Sequence, residues 1–201
     1  MSGAKKSSGG ITAADLMAQL AADPEYQRKA QAAEAERQVR VQQLRRAEQP
    51  IVEELRAAGY EVNSVWDLAN TSDPYPKALP VLLKHLQLGG YPDRVMESLA
   101  RTLAVKPSVE VWDTLRQLYL AAQGPGEEEG LAAALAASAT ADQLDALIAL
   151  LDETSRGSTR IHFLRPIKRV GGKRGLDVLT SLQDDPLFGK EASALLKLRV
   201  R

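Results

Sequence analysis

The chain has no cysteine, which excludes disulfides, thiolate zinc sites and thiol nucleophiles and permits a reducing compartment. Aromatic residues make up only 4%, so no interleaved row of rings is available on which single-stranded bases could stack. The only two histidines, His85 and His162, lie far apart with no neighbouring ligand at metal spacing, so neither a metal nor any other cofactor is expected. No window approaches the run of about 18 apolar residues that a membrane span needs. Residues 1–10 are rich in Ser, Gly and Lys and lack the apolar stretch of a secretory signal. A disordered tail, a cytoplasmic location and no membrane partner are the expectations.

What is present is leucine and alanine in an otherwise ordinary globular composition, 44% hydrophobic and 26% charged. Both are strong helix formers, and an all-α fold follows. The formal net charge of zero hides a segregation: residues 61–155 are acidic on balance and residues 156–201 basic. Formal charge alone does not choose between a polar partner at either end and an attraction between the two.

Residues 11–76 read as a helical extension and linker. Thr12 followed by Asp15 starts a short helix that ends near Asp23, and Asp23-Pro24-Glu25 opens a long one. Its apolar seam runs Tyr26, Ala30, Ala33, Val41, Leu44, Ile51 and Leu55, thin at first and stronger after Val41. Pro50 should kink this helix near Gln49, and Gly59 should end it. A short helix around Val65, Trp66 and Leu68 precedes a loop of Asn70-Thr71-Ser72-Asp73-Pro74.

Residues 77–201 overlay on themselves at a period of about 32 residues. The first helices of four units align Leu83, Leu115, Leu147 and Leu179, then Leu86, Leu118, Leu150 and Leu182. The second helices align Leu99, Leu131, Phe163 and Leu195, with Leu103, Leu135 and Ile167 four residues on, a column that Arg199 breaks as a solvent-facing cap would. Turns at Gly89-Gly90, Gly124-Pro125-Gly126, Arg156-Gly157 and Asp185-Pro186 separate the helices, and Ser108, Thr140 and Ser158 stand where caps are needed. One such pair cannot bury its apolar face alone, and stacking neighbours does.

The paired helices with leucine-rich columns over residues 78–199, Pro80 inside a first helix and Asp93-Arg94-Val95 opening a second resemble the short bacterial repeats of the HEAT/armadillo superfamily. The unit is shorter than the usual HEAT repeat of about 40–47 residues, and the proline is missing from units two to four. The resemblance implies a right-handed α-solenoid of about four two-helix units, preceded by the long kinked N-terminal helix, that serves as a curved scaffold for protein or nucleic acid. In that superfamily some DNA glycosylases set an aromatic residue beside an aspartate in a basic groove, and Trp112-Asp113 is such a pair. Asp113, however, shares its column with Asp145 and Asp177, where a first-turn carboxylate offsets the helix dipole.

No enzyme motif stands out. Gly171-Gly172-Lys173-Arg174-Gly175 lacks the spacing of a phosphate-binding loop and reads as a turn between helices. The strongest binding candidate is the basic stretch Arg156, Arg160, His162, Arg165, Lys168, Arg169, Lys173 and Arg174, whose side chains suit an acidic protein surface or nucleic-acid phosphates. The function expected is a non-enzymatic protein–protein interaction scaffold that uses the solenoid groove and the coiled-coil-like N-terminal helix. The alternative is nucleic-acid binding through the basic end, and no small-molecule substrate is evident.

Overall fold

The computed structural model describes residues 11–198. The expected disordered tail at residues 1–10 and the cap at Arg199 therefore lie outside the described residues. Every regular element among the described residues is an α or a 3-10 helix, so the chain is all-α. It divides into two units, one running to Gln43 and one from Leu44 onward.

The first unit holds α1 (Ala13–Ala22) and the leading part of α2 (Pro24–Ala57). Thr12 and Asp15 form the capping box read from the sequence, with the Asp15 N–H donating to Thr12 Oγ1 at 3.2 Å. Asp23 Oδ1 accepts from the Glu25 N–H at 2.8 Å, and Pro24 takes the first helical position, where a missing N–H costs nothing. No residue of α1 is buried, and in α2 burial is confined to Glu48, Ile51, Val52 and Leu55. The helix runs through Pro50 as one element and ends where Gly59 adopts φ +97°.

In the second unit, α3 (Val65–Ala69) precedes four helix pairs: α4 (Leu79–Leu88) with α5 (Asp93–Thr102), α6 (Trp112–Ala121) with α7 (Pro125–Ser138), α8 (Leu144–Leu151) with α9 (Leu164–Val170), and α10 (Gly172–Ser181) with α11 (Gly189–Lys197). Gly89 and Gly90 turn the chain between α4 and α5 at φ +63° and +78°, a conformation that side-chain-bearing residues avoid. The second-helix columns are core: Leu99, Leu131, Phe163 and Leu195 are buried, as are Leu103, Leu135 and Ile167. In the first helices Leu115, Leu147 and Leu179 are buried, but in α4 the buried positions are Leu82 and Leu86, and Leu83 is only partly covered. That helix is turned by about one residue because His85 is drawn inward, its Nδ1 2.6 Å from the Tyr91 hydroxyl.

Two of the expected caps do not form. Ser108 sits inside a 3-10 helix, Lys106–Val111, buried and with no hydrogen-bond partner for its hydroxyl. Ser158 directly follows Gly157, whose φ of +50° breaks the 3-10 stretch Thr154–Phe163 in two, and α9 begins only at Leu164 with no side-chain cap. Thr140 does form a capping box, with Gln143.

Candidate functional site

The candidate surface of the second unit draws mainly on its second helices. On α5 and α7 the contact is close because glycine permits it: a Cβ on Gly130 would stand 2.8 Å from Ala100 Cβ and 2.9 Å from the Glu97 carbonyl oxygen. Asp93, the first residue of α5, caps the neighbouring helix α7, its carboxylate accepting from the Gly126 and Glu127 N–H groups at 2.9 Å each.

Beside this contact two cavities adjoin at Ala104. One, of about 470 Å³, is walled by Tyr75, Pro76, Leu79, Val105 and Pro107, with Arg101 on its edge. The Tyr75 hydroxyl is turned away into a 2.8 Å bond to the Thr102 carbonyl, and burial pushes its pKa up. The other, of about 590 Å³, has a floor of Ala133, Ala136 and Ala137 and a rim of His162, Arg165, Arg169 and Glu191. Glu129 links the two: its Oε1 lies 2.7 Å from His162 Nε2 and 3.6 Å from an Arg101 guanidinium nitrogen.

Several groove positions recur at the repeat spacing. Arg101, Ala133 and Arg165 are spaced 32 residues apart, as are Ala104, Ala136 and Lys168, and again Val105, Ala137 and Arg169. Ala104 and Val105 lie in the segment just after α5, and Lys168 reaches the end of α11 and does not line the groove. In α7 and α9 the positions fall at i, i+3 and i+4 and so share a side of the helix. That spacing is legible in the sequence, but a column mixing Arg with Ala carries no hydrophobic signal. Sequence reasoning therefore misses Ala133, Ala136, Ala137 and Arg101.

The structure disperses the basic stretch predicted as a binding face. Four of its cations cap helix C-termini, where carbonyl oxygens have no intrahelical partner. Arg156 donates to the Leu120 and Ala122 carbonyls at 2.8 and 2.9 Å, closing α6. Arg160 bonds the Leu151 carbonyl at the end of α8 and covers the Phe188 ring. Lys168 reaches the Leu195 and Leu198 carbonyls at the end of α11. Arg169 reaches those of Ala136 and Ala139 at the end of α7, at 2.9 and 3.1 Å. Arg174 pairs with Asp145. Only His162, Arg165 and Arg169 are brought together on the groove, and Arg165, largely exposed, is 3.2 Å from Glu191. Lys173 lies in the first turn of α10, away from the groove.

Trp112 is buried in the core, its Nε1–H donating to the Leu135 carbonyl at 3.1 Å, while Asp113 stands exposed beside Arg116. The pair does not converge on a cavity. Among the described residues no group of three His, Cys, Asp or Glu side chains could hold a metal, and no helix is long and apolar enough to cross a membrane. Compared with known proteins, the chain matches no family model, no curated protein and no solved structure.

Proposed function

We propose that the protein is a non-enzymatic protein–protein interaction scaffold, that its second unit is an α-solenoid of about four HEAT-like helix pairs, and that the groove at Ala104 receives a segment of a partner protein. The solenoid reading is supported by the spacing of the side-chain contacts between pairs. Asp93 to Glu127, Arg156 to Leu120, His162 to Glu129, Arg165 to Glu191 and Arg169 to Ala136 join residues 26 to 36 positions apart, about one repeat. Each pair thus holds on to the next, as in a stack.

The observation that carries the functional reading is the alanine floor of the groove. Ala104, Ala133, Ala136 and Ala137 leave room for another chain, and the apolar recess beside Tyr75 continues it. Arg165 supplies an exposed cation on the rim for an acidic side chain of the partner. A nucleic-acid partner is less favoured, because Arg156, Arg160, Lys168 and Arg169 already direct N–H groups to carbonyl oxygens of their own chain.

The test uses the full chain as bait in a native lysate, beside an Ala133→Arg, Ala137→Arg variant that fills the groove without reaching the core. A specific protein captured by the first and lost by the second, with equal helix content by circular dichroism, is the expected result. No specific capture, or capture indifferent to the substitutions, overturns the reading. Salt-dependent retention of duplex DNA or RNA that is lost on Arg165→Glu would favour the nucleic-acid alternative.

A further inference from the structure

The leading half of α2 is a long helix without a buried side. From Pro24 to Gln43 no residue is buried, and Tyr26, Val39 and Val41 stand exposed. Helices in proteins draw most of their stability from a packed face, and this stretch has none; its own support comes from exposed turn-to-turn pairs such as Lys29 with Glu25 at 2.7 Å and Arg37 with Glu34. Tyr26, Ala30, Ala33, Arg37 and Arg40 recur at spacings of four and three, the spacing of a two-helix seam but with two charged positions in it. Two arginines on such a seam decide how it can be covered. In a parallel pair Arg37 would face Arg37 and Arg40 would face Arg40, a like-charge contact that costs stability.

Turned antiparallel, the same stripe complements itself. With a two-fold axis between Gln31 and Ala32, Ala30 faces Ala33 of the second copy, Tyr26 faces Arg37, and Asp23 faces Arg40. On the flank Lys29 faces Glu36, and every contact is made twice. The alanine layer lets the helices approach to about 8 Å, and the matched stretch from Asp23 to Arg40 runs about 27 Å. The ring of Tyr26 offers its face to a guanidinium, and Asp23 and Glu36 offer carboxylates to cations in a surface otherwise without deep burial.

We propose that residues 23–40 are a self-association surface, on which a second copy of this chain packs antiparallel through the Tyr26-Ala30-Ala33-Arg37-Arg40 stripe. This surface is independent of the groove, and its failure would leave the groove reading untouched. Sedimentation of the full chain tests it. At about 50 µM the chain is expected at twice its 21.8 kDa. Lys29→Glu sets a carboxylate against Glu36 of the second copy and is expected to raise the dissociation constant by about tenfold or more. Lys29→Glu combined with Glu36→Lys restores the opposite charges in the antiparallel register and is expected to recover the dimer. In a parallel pair the flanking neighbour of residue 29 is Glu34, which the second change leaves in place, so no recovery would follow. Sedimentation at the mass of one chain up to about 200 µM, indifference to Lys29→Glu, or failure of the double variant to recover would each overturn the proposal. Residues 29 and 36 are exposed on the helix, so neither substitution touches the core.

Discussion

At the residue scale, the arginines of the basic stretch act as plugs for helix ends. Arg156 is the most committed: besides the Leu120 and Ala122 carbonyls it meets Glu128 at 3.3 Å, and both side chains are largely covered. Arg156→Met keeps most of the bulk and removes the donors, leaving two carbonyls and a sheltered carboxylate unpaired. A loss of about 2–3 kcal/mol in urea unfolding is expected, against a loss near zero for the exposed Lys173→Met. Tyr119 belongs to the same network. The Thr159 hydroxyl donates to Glu128 at 2.6 Å, so the Tyr119 hydroxyl 2.8 Å from Thr159 is the donor in that bond. Burial pushes the Tyr119 pKa up to about 12, above the ordinary 10 of the unfolded chain. A raised pKa on an acid means that the folded state holds the proton longer, so this contribution is complete below pH 10 and is lost as pH rises toward 12. Unfolding free energies measured between pH 9 and 12 should fall more steeply for the native chain than for Tyr119→Phe.

At the element scale, the close fit of α5 against α7 rests on Gly130. In an exposed helix Gly→Ala stabilises by about 1 kcal/mol. Here the added methyl would meet Ala100 and the Glu97 backbone below 3 Å, and backbone cannot step aside as a flexible side chain can. Gly130→Ala is therefore expected to destabilise by about 1–3 kcal/mol, read by thermal or urea unfolding; a stabilised variant would mean that the two helices can part without loss. The second-helix core is legible in the sequence because Leu99, Leu131 and Phe163 repeat an apolar type in one phase. The one-residue turn of α4 is not, since it depends on His85 meeting Tyr91 across a glycine turn. The groove face stays hidden for the opposite reason: Arg101, Ala133 and Arg165 share a position but no physical property. The capping arginines cannot be assigned from sequence either, because which carbonyl lies in reach is decided only once helices of different pairs are adjacent.

At the scale of the whole second unit, stability should be distributed as contacts are, pair to pair. The side chains that tie α11 to the rest come from α9: Arg165 through Glu191, and Lys168 through the Leu195 and Leu198 carbonyls. Leu195 itself is buried, and its truncation to alanine removes about 2–5 kcal/mol of packing. If each pair leans only on its neighbours, the loss stays at that end of the chain. Amide hydrogen exchange of Leu195→Ala should then speed up in α10 and α11, less in α9, and remain unchanged in α5 and α7. A uniform rise in exchange from α4 to α11 would instead mean that the unit opens in one cooperative step, so that a partner seated over Ala133 would stabilise every helix pair equally. Under the local alternative the same partner protects α5, α7 and α9 ahead of α10. Exchange measured with and without the captured protein therefore locates the occupied groove and reports how far along the helix pairs its binding energy reaches.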